Sequence, residues 1–334
     1  MAQTASVSAK SNDFSITYIK PTHNVPDLTN DVYQGLLSRP RSLPPKYFYD
    51  DHGSQLFEKI TETEEYYPTR LEDELLILHS EDIIRKSHPG QIIELGSGSS
   101  RKTRRLFDAC EKQVRFCEYA PFDVCESAIC QAVDNLTSEY DWLDVTPLIG
   151  DYQAGLTNIP TFDGARLFVF LGSTIGNFTP KQAGVFITEV TDCMKPGDYF
   201  LLGADRVKSP EILNAAYNDS QGITAEFNRN VLRVLNRKLD ADFNVNHFDH
   251  VAIYNEQLNR IEMSLISKIE QKININKINE ILELEPGEKI QTELSHKFQP
   301  EQINSLLIES GLQPVKHYQP PNNFYSLILS KLSD

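Results

Sequence analysis

From residue 91 onward, short apolar runs alternate with longer stretches whose apolar positions recur at helical spacing. The runs at 91–95, 114–119, 144–149, 166–171 and 199–204 predict strands. The stretches at 102–111, 124–140 and 180–194 predict helices, the last stopped by Lys195-Pro196-Gly197-Asp198. Strands alternating with helices imply βαβ units and a parallel sheet. Upstream, the spacing predicts helices over 27–38, 54–61 and 71–86, with Leu75, Leu76, Leu78, Ile83 and Ile84 as apolar positions of the last. Two aromatic segments without periodicity, around Tyr47-Phe48-Tyr49 and Tyr66-Tyr67, read as either a clasp on the core or a ligand wall.

The pattern changes after Asp205. Ser209-Pro210 supplies an N-cap and a first helical residue for a long helical stretch that runs to about 239, interrupted near 218–222. Segments 251–255, 261–275 and 290–298 then alternate like antiparallel strands, before a helix at 300–310 and strands at 314–318 and 323–331. A helix and two closely spaced strands after five strand-helix repeats resemble the end of the class I methyltransferase sheet, whose last strand inserts antiparallel. That resemblance implies an α/β fold with a Rossmann-like, mostly parallel sheet. The expected organisation is a flexible lead-in at 1–25, an N-terminal segment contributing to the site at 26–90, a methyltransferase domain at 91–206 and 293–334, and an inserted substrate-binding domain at 207–292.

Composition narrows the function classes. A chain of 334 residues, 40% hydrophobic, has room for one large core or two modest ones. A net charge of -15, from 32 basic and 47 acidic residues, argues against a nucleic-acid backbone as partner. No stretch approaches the roughly 18 apolar residues of a membrane span, and the first residues lack an apolar signal core, so the expected location is cytoplasmic. Cys110, Cys117, Cys125, Cys130 and Cys193 form no C-x-x-C pair and have no histidines at metal spacing; reduced thiols and no metal are expected.

In an open parallel sheet a ligand lies beyond the carboxyl ends of the strands, which makes each strand end a candidate. The first, Glu94-Leu95-Gly96-Ser97-Gly98-Ser99-Ser100, lacks the third glycine of a dinucleotide fingerprint. It suits a nucleoside without phosphates, and S-adenosylmethionine is the candidate. The second strand end offers Glu118 and Asp123 for ribose hydroxyls, and spacing does not choose between them. The third offers Asp151 and Tyr152. The fourth, Gly172-Ser173-Thr174-Ile175-Gly176-Asn177, places an amide with donors and an acceptor where an amino acid could be held. Glu293, Ser295 and Lys297, by alternation alone, read as the solvated face of a strand.

Six segments carry a closer resemblance. Leu43-Pro44-Pro45-Lys46-Tyr47-Phe48-Tyr49-Asp50, Glu65-Tyr66-Tyr67-Pro68-Thr69-Arg70, the Glu94 to Ser100 loop, the Phe170 to Asn177 segment, Thr224-Ala225-Glu226-Phe227-Asn228-Arg229-Asn230 and Ile261-Glu262-Met263 together resemble the histidine Nα-methyltransferases of ergothioneine biosynthesis. The likeness runs from about residue 31 to the end of the sequence. It implies cofactor contacts at Tyr49, Gly96, Lys102, Asp123, Asp151 and Tyr152, choosing Asp123 over Glu118, with Tyr152 where the family pattern has Phe. It implies substrate contacts at Tyr66, Gly172, Asn177, Tyr217, Met263, Glu293 and Ser295. In that scheme Asn177 and Tyr217 hold a carboxylate, Glu293 and Ser295 bind an imidazole, and Tyr66, Gly172 and Asn177 lie at the reacting centre, with Tyr66 as a proton path.

The implied reaction is three methyl transfers from S-adenosylmethionine to the α-amine of L-histidine, leaving S-adenosylhomocysteine. The expected protein is a monomer with a small-molecule substrate and no nucleic-acid or membrane partner. The alternatives are a relative acting on another amino acid or amine, and a non-catalytic nucleoside-binding module.

Overall fold

The computed structural model describes residues 14–333. The expected lead-in therefore lies partly outside the described residues, and where it is described it is built into the sheet. Its strands are β1 Thr17–Tyr18, β2 Gln91–Leu95, β3 Glu118–Asp123, β4 Asp144–Val145, β5 Leu148–Ile149, β6 Arg166–Phe170 and β7 Tyr199–Asp205. There follow β8 Phe248–Asn255, β9 Arg260–Ser267, β10 Gln271–Ile275, β11 Glu280–Leu284, β12 Lys289–His296, β13 Leu312–Tyr318 and β14 Tyr325–Leu332. The helices are α1 Leu28–Asp31, α2 Asp51–Glu62, α3 Tyr67–Ser87, α4 Arg104–Lys112, α5 Glu126–Glu139, α6 Pro180–Cys193, α7 Pro210–Ala216, α8 Ile223–Leu239 and α9 Pro300–Glu309.

The large sheet has the order β1-β5-β3-β2-β6-β7-β14-β13, with β4 also beside β3. Its strands from β1 to β7 pair in parallel, and β14 inserts antiparallel between β7 and β13. This is the class I methyltransferase sheet. Alternate side chains of one strand enter opposite cores, because successive Cβ atoms point to opposite faces. Ile93 and Leu95 join Phe122, Phe168, Phe200 and Ile187 on one side; Ile92 joins Tyr119, Leu167, Leu76 and Phe107 on the other.

A third core unites the N-terminal segment with the region after β7. Val32, Leu36, Phe48, Leu56, Ile60 and Tyr66 pack with Phe227, Val231, Leu235, Met263 and Leu265. The aromatic segments are thus part of a packed body above the strand ends. Asp50 caps α2 by accepting from Gly53 N at 2.7 Å, and also accepts from Asn230 Nδ2 at 2.7 Å, which ties α2 to α8. The later strands form a three-stranded sheet, β12-β9-β8, and a separate hairpin, β10-β11.

Several boundaries differ from expectation. The second strand begins at Glu118 rather than 114, because Val114, at φ +53°, belongs to the turn that ends α4, and it runs on to Asp123 through Pro121. A proline lacks the N–H a ladder needs. Here it falls where the partner changes: Glu118 and Tyr119 pair with β4, Phe122 and Asp123 with β5. The run 261–275 splits into β9 and β10, in different sheets. The predicted helix at 27–38 is one α-helical turn followed by a π turn, Val32–Leu36. The division drawn at 293 cuts through β12, whose residues Glu293 and Ser295 pair with Met263 and Ile261 of β9.

Candidate active site

The carboxyl ends of β2, β3, β6 and β7 open into a cavity of about 410 Å³, roofed by the third core. Every residue expected to contact cofactor or substrate lines it: Tyr49, Tyr66, Gly96, Lys102, Asp123, Asp151, Tyr152, Gly172, Asn177, Tyr217, Met263, Glu293 and Ser295.

One half is built by the loops after β2, β3 and β5. Gly96 and Gly98 take φ of +72° and +50°, a region that favours glycine, and a Cβ added at Gly98 would meet nothing within 4 Å. The loop therefore leaves open space over its backbone. Asp123, at the end of β3, anchors it by accepting from Gly98 N at 3.0 Å and Cys125 N at 3.0 Å. Glu118 lies at the opposite end of the strand and accepts from Gln91 Nε2 at 2.8 Å, away from the cavity. Burial raises the Asp123 carboxyl above its usual range, although hydrogen bonds from Cys125, Gly98 and Val124 work against the shift. Asp151 caps the turn Tyr152–Ala154, and the Tyr152 ring meets Phe170 edge-on at 5.6 Å. Lys102 Nζ donates to the Glu72 carboxylate, which also accepts from Gly172 N at 2.9 Å and from Tyr325 Oη at 2.6 Å.

The donor set fits S-adenosylmethionine. The glycine loop's own lysine is engaged by Glu72, and the half-exposed Arg101 faces Glu58 at 4.0 Å. Carboxylates of Glu94, Asp123 and Asp151 instead line the wall, which suits a cationic sulfonium nucleoside. Among the described residues no group of three or more His, Cys, Asp or Glu is placed to hold a metal, and no helix is long and apolar enough to cross a membrane.

The other half comes from β6, β9 and β12. After β6 the chain turns through Gly172 and Ser173, with φ of +75° and +58°, into the 3-10 turn Thr174–Asn177. This turn sits directly against β12: a Cβ at Gly176 would stand 2.7 Å from the carbonyl oxygen of His296. Strand β12 carries a bulge between Gln291 and Glu293. Before it, Ile290 lies opposite Leu265; after it, Glu293 and Ser295 lie opposite Met263 and Ile261, on the same face of β9. One extra residue reverses which side chains point inward. The bulge therefore turns Glu293 and Ser295 from the expected solvated face into the cavity.

Among the described residues, the Glu293 carboxylate, the Asn177 amide and the hydroxyls of Tyr49 and Tyr66 have no hydrogen-bond partner, although all four residues line the cavity. Burial pushes Glu293 up to about 7, with only Lys297 opposing the shift. Burial also raises Tyr66 well above its usual value, so at neutral pH it is a phenol.

The family model for histidine-specific, S-adenosylmethionine-dependent methyltransferases matches residues 28–332. The chain belongs to that family. A histidine N-alpha-methyltransferase of Mycobacterium tuberculosis is 42% identical over 303 residues, covering 91% of this chain and 94% of that protein. The ergothioneine biosynthesis protein 1 of Neurospora crassa is 30% identical over 299 residues, 87% of this chain and 33% of that protein. A 4-dimethylallyltryptophan N-methyltransferase of Claviceps purpurea is 25% identical over 316 residues, 88% of this chain and 92% of that protein.

In this member of the family, several site residues escaped the reading of the sequence. Asp205, at the end of β7, and Lys297, just beyond β12, line the cavity and pair at 3.0 Å. Glu72 is buried beneath Lys102 and Gly172. Asp205 had a usable signal, since it ends a parallel strand; Glu72, inside a helix, had none.

The raised Glu293 carboxyl has a measurable consequence. Folded protein keeps a proton up to about pH 7 that the unfolded chain releases near 4.5. Between those values the fold loses stability as pH rises, and this contribution is complete above 7. In thermal melts between about pH 5 and about pH 8, the native protein is expected to lose more stability than Glu293→Gln. Parallel curves would contradict the shift.

Proposed function

We propose that the protein transfers three methyl groups in succession from S-adenosylmethionine to the α-amine of L-histidine, giving hercynine for ergothioneine biosynthesis. The observation that carries the choice of acceptor is the bulge in β12, which aims an unpartnered, half-buried carboxylate, Glu293, into the cavity opposite Met263. Glu293 accepts the imidazole N–H, and Ser295 meets the other ring nitrogen. Asn177 and Tyr217 hold the carboxylate, which directs the α-amine toward Gly172 and the glycine loop.

S-adenosylmethionine supplies a methyl group already activated by its sulfonium. The protein's task is mainly to hold the unprotonated amine at about 3 to 3.5 Å, in line with the methyl. Tyr66, a phenol at neutral pH, provides a hydrogen-bonding path for departing protons rather than a strong base. As methyl groups accumulate the nitrogen becomes a fixed cation, which the aromatic faces of Tyr49, Tyr66 and Tyr217 accommodate. A monomeric, cytoplasmic enzyme is the form we propose, and the acidic balance of -15 argues against a nucleic-acid partner.

Release of S-adenosylhomocysteine with histidine, tryptophan and simple amines as acceptors tests the assignment. Histidine is expected to exceed the others in kcat/KM by about 100-fold or more, because a site built around polar contacts rejects ligands that leave them unmet. Equal turnover with tryptophan would indicate another acceptor, and no release with any amine would indicate a binding module.

A further inference from the structure

Lys297 is 2% exposed, and its ammonium makes three contacts: Tyr217 Oη at 3.0 Å, Ser295 Oγ at 2.9 Å and Asp205 Oδ2 at 3.0 Å. An ammonium has three N–H donors and no lone pair. All three are therefore spent, and both hydroxyl oxygens are acceptors on that side. Asp205 is held in turn by Tyr67 Oη at 2.7 Å and Lys208 Nζ at 2.5 Å. Burial works against charge on Lys297, but Tyr217 and Asp205 outweigh it and keep the ammonium protonated.

The two hydroxyls also meet each other, Tyr217 Oη donating to Ser295 Oγ at 2.9 Å. With Lys297 and Tyr217 both donating to Ser295 Oγ, the serine proton remains for a ligand in the cavity. A carboxylate can then take the Tyr217 proton as well, because Lys297 continues to satisfy both oxygens. Without Lys297, Ser295 can turn its proton onto Tyr217, and the polarity of the wall is lost.

We infer that Lys297 is a positioning residue that makes the Tyr217 and Ser295 hydroxyls donors toward the substrate and so selects the ring the cavity takes. This rests on the histidine reading above. Glu293 can only accept when ionised and Ser295 then donates, so the matching ring has one N–H and one lone pair, which is neutral imidazole. Indole has an N–H alone, and imidazolium has two.

The test is titration calorimetry of L-histidine, in the presence of S-adenosylhomocysteine, with the native protein, Lys297→Gln, Ser295→Ala and the double variant. Each single variant is expected to weaken histidine about 10-fold or more, with S-adenosylhomocysteine affinity within about twofold. The double variant is expected to lose no more than about 3-fold beyond the weaker single, because both changes remove one interaction. Fully additive losses, or histidine binding by Lys297→Gln equal to native, would overturn the inference.

Should Lys297→Gln not fold, the native protein still decides. A pyrrole analogue of histidine, which keeps the N–H and lacks the acceptor nitrogen, is expected to bind about 10-fold or more weakly than histidine. Equal binding would overturn the donor role. If the native protein binds S-adenosylhomocysteine but no histidine, the acceptor assignment falls and this inference with it; if it binds histidine normally and only the variants behave otherwise, the inference falls alone.

Discussion

Glu293→Ala is expected to weaken L-histidine by roughly 5- to 150-fold, the equivalent of about 1 to 3 kcal/mol for a lost buried partner, while S-adenosylhomocysteine affinity stays within about twofold. The asymmetry follows from the two-part construction of the cavity. Glu293 sits on β12 facing Met263, whereas Gly96, Gly98, Asp123 and Asp151 stand on the loops after β2, β3 and β5. In the native protein an imidazole N–H meets a carboxylate with no other hydrogen-bond partner; in the variant it meets a methyl group. The variant is not expected to be less stable at neutral pH, since it also relieves a half-buried carboxyl raised to about 7. Calorimetry with both ligands checks this. Equal losses for the two would contradict the division of roles.

Asp205→Ala is expected to have the largest effect on stability. The Asp205 carboxylate is buried between two ammonium groups, Lys208 at 2.5 Å and Lys297 at 3.0 Å. Even with this partner, burial lowers Lys208 to about 8. Removing the anion leaves two buried cations facing each other, and breaking a buried pair costs about 3 to 5 kcal/mol. For a chain of this size the corresponding fall in Tm is about 4 to 7 °C. Differential scanning calorimetry measures it, and a Tm within about 2 °C of native would show that the cluster is better solvated than its burial implies.

The regions legible in the sequence were those where local pattern and tertiary role agree. Apolar runs such as Gln91–Leu95 and Arg166–Phe170 are buried on both faces of a parallel sheet, and their alternation with helices determined the layer order. The strand ends then pointed to Gly96, Asp151 and Asn177. Pro121 concealed the true extent of β3, because the change of partner that tolerates it is a tertiary fact. The bulge in β12 was concealed for a similar reason: alternation assigns Glu293, Ser295 and Lys297 to water, and only the register against β9 shows the reversal. Resemblance supplied Glu293 and Ser295. Lys297 required the structure, since a buried ion pair leaves no periodic trace, whereas Asp205 is marked by its place at the end of β7.

The reaction proposed for this cavity is trimethylation of the histidine α-amine. Purified protein incubated with L-histidine and excess S-adenosylmethionine, followed by mass spectrometry of the amino-acid product, tests it directly. The predicted result is a product heavier than histidine by three methyl groups, with the added mass on the α-nitrogen in the fragment spectrum. No gain in mass, or methyl groups located on the imidazole ring, would contradict it.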